Sequence, residues 1–101
     1  MKPGTIAIGN ASLHVGYSQI VPPNKRGKVR ELTEFFVPEN QRGKGEGTTL
    51  LQAVCDDADN EGLMLIIIAD DDRLAAFYSR FDFALLSEDK LRLMLRMPKI
   101  A

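Results

Sequence analysis

The sequence predicts an α/β fold, a mixed sheet carrying two helices in the order β-β-β-α-β-α-β-β, and three features support it. Near the start, apolar and polar residues alternate from Thr5 to Ile8 and again through Leu13, Val15 and Tyr17, the period of half-buried strands. Two later stretches repeat their apolar residues at helical spacing, Leu50, Leu51, Val54, Cys55 and Ala58 in one, and Leu74, Phe77, Tyr78 and Phe81 in the other. Between them Leu63 to Ala69 is unbrokenly apolar, as expected of a central strand covered on both sides.

Taken in order, Gly9-Asn10 supplies turn chemistry and makes the first two strands a hairpin. His14 falls on the opposite face from Leu13 and Val15, with no cysteine or carboxylate at ligand spacing, so it reads as a surface position. Pro22 to Gly27 is a loop. The next strand, Lys28 to Val37, changes pattern along its length: Val29 and Leu32 lie on opposite phases, and Phe35, Phe36 and Val37 are all apolar. Either burial on both faces or a β-bulge explains this. Glu31 and Glu34 interrupt that strand, and charges tolerated there are edge-facing or functional.

The first helix runs from Glu46 to Glu61, with Gln52, Asp56, Asp57 and Asp59 opposite its apolar stripe and Gly62 as the stop signal. Cys55 lies on the stripe and belongs to the core. Asp70-Asp71-Asp72 offers N-caps to the second helix, a commoner use of acids at a helix start than a cation site. Phe83 to Leu86 is a short strand, Ser87-Glu88-Asp89 a turn, and Lys90 to Met97 a strand with Leu91, Leu93, Leu95 and Met97 on one face.

The whole chain sets limits on function. Its 101 residues suit one domain, which buries roughly 60–70% of its unfolded surface. Thirteen basic and fourteen acidic side chains give a net charge of −1, which argues against a nucleic-acid or membrane-surface partner. The longest apolar run is too short for a bilayer, and no signal-peptide core precedes the first strand, so a cytoplasmic location is expected. Cys55 is the single cysteine, compatible with a reducing compartment.

The chemistry concentrates in Gln41-Arg42-Gly43-Lys44-Gly45-Glu46-Gly47, a glycine-rich turn between a strand and a helix. Glycines let backbone N–H groups approach a ligand, the helix adds its unpaired N–H groups and positive dipole end, and Arg42 and Lys44 add charge. A phosphate or pyrophosphate is the best-matched ligand. Neither the P-loop nor the dinucleotide fingerprint fits the glycine spacing.

The frame that fits is R-x-x-G-x-G at Arg42, Gly45 and Gly47, which resembles the pyrophosphate-binding motif of GNAT-superfamily N-acetyltransferases. The stretch from Asp71 to Phe83, with Phe77-Tyr78 on a helix leading into a strand, resembles a later motif of the same family. The resemblance spans about Val29 to Met97 and implies a mostly antiparallel GNAT-like sheet. It also implies acetyl-CoA as donor and an amine of a small molecule or protein as acceptor, with no metal. On this resemblance Arg42, Gly43, Lys44, Gly45, Glu46, Gly47 and Thr48 hold the pyrophosphate. Backbone N–H groups of Phe35, Phe36 and Val37 polarise the thioester, and Asp71 stands beside the pantetheine arm. Glu31 or Glu34 is the base, directly or through water, and Tyr78 protonates the departing thiolate.

Three departures accompany the resemblance. Asp71 replaces a frequent asparagine, Asp82 replaces a usual glycine, and the family's first strand and two following helices have no counterpart, which leaves the acceptor side open or completed by a homodimer. The same residues also suit a second class, a non-catalytic CoA-binding or protein-interaction module with a GNAT-like fold.

Overall fold

The computed structural model describes residues 1–86 and 92–99. β1 (Gly4–Ile8) and β2 (Ala11–Gly16) form the expected hairpin, closed by a two-residue turn with positive φ at Gly9 alone, as a type II′ turn asks. A 3₁₀ turn at Pro23–Lys28 occupies the stretch expected as a loop, and β3 (Val29–Phe36) follows it. Next come α1 (Glu46–Glu61), β4 (Met64–Ala69), α2 (Asp72–Ser79), β5 (Ala84–Leu85) and β6 (Arg92–Arg96). The predicted turn at Ser87-Glu88-Asp89 and the start of the last strand at Lys90 lie outside the described residues.

The six strands make one sheet in the order β1-β2-β3-β4-β6-β5, with β3 and β4 parallel and every other neighbouring pair antiparallel. The parallel pair is joined through α1, as a crossover requires. Its ladder runs from Val29 opposite Met64 to Leu32 opposite Ile67.

Of the two readings of β3, the structure selects the bulge. Ser12 pairs with Phe36 but His14 pairs with Thr33, so Leu13 alone faces Glu34 and Phe35. Glu34 takes φ 54°, a left-handed conformation that costs a non-glycine residue about 1–2 kcal/mol. The extra residue turns Phe35 toward the helices, where it stacks on Phe77, while Phe36 stays 55% exposed.

Both helices pack on one face of the sheet. Leu50, Leu51, Val54, Cys55 and Ala58 of α1 share a core with Leu13, Val15, Leu32, Leu65, Ile67 and Met94, and α2 adds Tyr78. Burial raises the Cys55 thiol to about 11. No helix among the described residues covers the other face, which corrects the expectation for the central strand: Ile66 is buried, but Ile68 is 38% exposed. The β2–β3 connection supplies part of the cover, since Ser18 Oγ contacts Glu31 Oε1 at 3.4 Å. The last strand buries Met94 and Arg96, and leaves Leu93 and Leu95 half-buried on the helix-free side.

Arg96 is buried because it is paired. Its terminal nitrogens donate to Asp59 at 2.7 and 3.0 Å, and Nε donates to the Phe81 carbonyl at 2.8 Å. One guanidinium thus fastens the end of α1, β6 and the exit from α2. The Arg96 hydrogen bonds hold the Asp59 carboxyl below its ordinary 3.8, helped by the Lys99 backbone N–H and opposed by burial. Next to this junction Asp82 takes φ 71°, the left-handed conformation that favours glycine, and its carboxylate pairs with Lys99. No helix among the described residues is long and apolar enough to cross a membrane.

Candidate functional site

Past Leu32 and Ile67 the parallel ladder ends, and a cleft of about 790 Å³ opens beyond the carboxyl ends of β3 and β4. Ligand crevices of α/β sheets form at this place, because neighbouring strands stop covering one another there. Phe35, Phe36 and Val37 line one wall, the glycine-rich turn forms the floor, and Asp70, Asp71, Arg73, Leu74, Phe77 and Arg80 come from the α2 side.

The three glycines of the turn do two different jobs. Gly43 and Gly45 both take φ 85°, and a Cβ at either would meet nothing within 4 Å, so they are needed for backbone conformation. Gly47 is needed for space: a Cβ there would lie 2.9 Å from Val37 Cγ2 and 3.2 Å from Phe35 Cζ. That close approach lets the first turn of α1 rest on the end of β3. Gly45 is the N-cap of α1 and no side chain caps the helix, so its first N–H groups point to the cleft end without a side-chain partner.

The other anticipated residues divide into those on the cleft and those off it. Arg42 and Thr48 line it, and Arg42 is steadied by donating Nε to the Val37 carbonyl at 3.2 Å. Asp71 lines it while serving as N-cap of α2, its carboxylate accepting from Leu74 N–H at 2.8 Å. Glu46 also lines the cleft, but its carboxylate accepts from the Asn10 backbone N–H. Lys44 is exposed and does not form part of the wall.

Nor do the three residues expected to move protons line the cleft. Glu31 sits mid-strand between Gly16 and Ile66, half-buried, whereas Glu34 is the exposed bulge residue. Tyr78 is 2% exposed, with its ring about 6.0 Å from those of Phe35 and Phe83. Burial first, and then the charges of Asp70 and Asp71, push its phenol up to about 12, partly offset by Arg73. It therefore stays protonated throughout the neutral range.

Arg73 and Arg80 were missed as site residues by sequence reasoning. They stand at i and i+7 with Phe77 between them at i+4, one face of α2, and the Arg80 guanidinium lies 5.7 Å from the Phe77 ring centroid. That spacing was the available signal. With Arg42 opposite, three cations surround the cleft.

The profile of the acetyltransferase (GNAT) family matches residues 5–83. No curated protein is a significant match. Among solved structures, a GCN5-related N-acetyltransferase from Kribbella flavida superposes with TM-score 0.69 at 18% identity, over 86% of this chain and 59% of its own. An N-acetyltransferase from Staphylococcus aureus Mu50 gives TM-score 0.64 at 20% identity, over 84% and 56%. A GNAT family N-acetyltransferase from Escherichia coli, solved with CoA, gives TM-score 0.60 at 17% identity, over 86% and 51%. At such identities the likeness is one of fold, and the chain spans little more than half the length of these relatives. The six-stranded sheet is GNAT-like, and by the family match over residues 5–83 the chain belongs to the acetyltransferase (GNAT) family.

Proposed function

We propose that residues 1–101 form one acetyl-CoA-dependent N-acetyltransferase domain, with the pyrophosphate of the donor on the glycine-rich turn. The observation that carries this is the uncapped N-terminus of α1 opening into a cleft flanked by Arg42, Arg73 and Arg80. The donor extends from that turn toward the parted ends of β3 and β4, where backbone N–H groups of Phe35 to Val37 polarise the thioester oxygen. The amine nitrogen attacks the thioester carbon, the carbon–sulfur bond breaks, and the amine proton passes to a carboxylate, directly or through water. Glu31 is the better held of the two candidates, through Ser18, while Glu34 stands in solvent. Tyr78 gives its proton to the thiolate. The acceptor is an amine of a small molecule or protein, and a single buried cysteine suits a reducing cytoplasm.

Mass spectrometry of amines incubated with acetyl-CoA tests this reading through a gain of one acetyl group. Arg42→Ala is expected to weaken CoA binding by about 1.5–3 kcal/mol, the worth of a charged hydrogen bond, as read by calorimetry. Unchanged affinity would remove Arg42 from the pyrophosphate site. A module that binds CoA without acetylating is favoured by one feature, the absence of Tyr78, Glu31 and Glu34 from the cleft wall. Retained CoA with no acetylated product selects it.

We also propose a homodimer through the helix-free face, where Ile68 is 38% and Leu86 60% exposed. Light scattering that shows only monomer at high micromolar concentration, with activity intact, rejects it.

A further inference from the structure

Glu46 is the first residue of α1 and lines the cleft, so its carboxylate is drawn to the uncapped helix N-terminus by the force that would hold a phosphate. Left there, it competes with an anion. The structure shows it elsewhere: the Asn10 backbone N–H, in the β1–β2 turn, stands 3.4 Å from each carboxylate oxygen. Gly9 makes the seat. A Cβ built at Gly9 would collide with Glu46 Oε2 and lie 2.6 Å from its Cδ, so any other residue there displaces the carboxylate from this position.

We propose that the Gly9–Asn10 turn is a latch that holds the Glu46 carboxylate back from the phosphate turn and keeps the head of α1 clear for the pyrophosphate of CoA. This rests on the cofactor reading given above. Glu46 is on this account a positioning residue, and the hairpin that carries its seat sets the charge at the anion site. The latch also explains why an acid is tolerated in a turn otherwise suited to phosphate.

The test compares wild type, Glu46→Gln, Glu46→Asp, Gly9→Ala and the Gly9→Ala/Glu46→Gln double variant, with CoA as titrant in calorimetry and melting curves as the check on folding. Gln keeps an acceptor for Asn10 and removes the charge, so CoA binds at least as tightly as to wild type. Asp keeps the charge but is one methylene too short for the seat, and CoA affinity falls about tenfold, less so at high salt. Gly9→Ala evicts the carboxylate and weakens CoA by a similar factor in the Glu46 background, with a much smaller loss in the Glu46→Gln background. Strain from alanine at φ 59° is common to both backgrounds and cancels in that comparison. Equal losses in the two backgrounds, or Glu46→Asp binding like wild type, overturns the latch. The Asn10 amide resonance supplies a readout independent of CoA. It shifts in Glu46→Asp if the seat is occupied as described, and an unmoved resonance overturns the proposal even if wild type fails to bind CoA. That last failure alone would instead reject the cofactor reading.

Discussion

Tyr78→Phe is expected to leave CoA affinity and melting temperature unchanged while lowering kcat about 10²-fold, the low end of general acid catalysis. The substitution is clean because phenylalanine keeps the ring among Phe35, Phe77 and Phe83, so packing is preserved and only the hydroxyl goes. The phenol at about 12 is a weak acid, but it is protonated at every working pH, and on the proposed reading it would donate to a leaving thiolate whose own reference pKa is ~8.5. Proton donation to such a leaving group assists moderately, which sets the size of the effect. Because Tyr78 does not titrate near neutrality, any alkaline or acid limb of kcat between pH 6 and 9 belongs to another group and is expected to persist in Tyr78→Phe. An unchanged kcat would make Tyr78 a core residue, and the thiolate would then leave unaided or take its proton from water.

The largest expected loss of stability comes from Asp59→Ala. Arg96 is only 3% exposed, and removing its carboxylate partner leaves a guanidinium stranded between α1 and β6, a change that costs about 3–5 kcal/mol. In a domain of this size each kcal/mol lowers the melting temperature by about 4–8 °C, so calorimetric melting reads the change easily. The same pair sets part of the acid response. The folded Asp59 carboxyl lies below its ordinary 3.8, so its contribution is fully present above that value and is lost as pH falls through the lower, folded value. Asp59→Asn should therefore melt lower than wild type near neutrality and lose less on acidification below about pH 4. Parallel acid limbs in the two proteins would show that the pair does not govern acid unfolding.

The parts of the fold that were legible in the sequence are those written in local pattern. The span of α1 from Glu46 to Glu61 follows from an apolar stripe stopped by Gly62, and the hairpin from alternation around Gly9-Asn10. The bulge was legible only as one of two options, because its left-handed residue is Glu34, a type that does not advertise positive φ. Which side of β6 is buried was not legible at all. Leu93 and Leu95 make one face wholly apolar, yet the face that carries Arg92, Met94 and Arg96 is the one turned to the helices, and Arg96 is inside only because Asp59, 37 positions earlier, neutralises it. At the site, the glycine-rich turn pointed by composition to an anion, the ligand proposed for it. The division of labour between Gly45 and Gly47 needed the position of Phe35 and Val37, and the seat of Glu46 needed a hairpin 36 positions away. Contacts of that range leave no periodic trace.

The burial of Cys55 bears on how turnover can be followed. Reaction would release free CoA, whose thiol is readily counted with a disulfide reagent, and a protein cysteine that reacted alongside it would add a false signal. Cys55 is 1% exposed and raised to about 11, so almost none of it is thiolate at neutral pH and the reagent cannot reach it in the folded chain. The folded chain is thus silent in such an assay. Slow colour that develops with neither acetyl-CoA nor acceptor present reports exposure of Cys55 as α1 lifts from the sheet, and the one thiol becomes a clock for opening of the core.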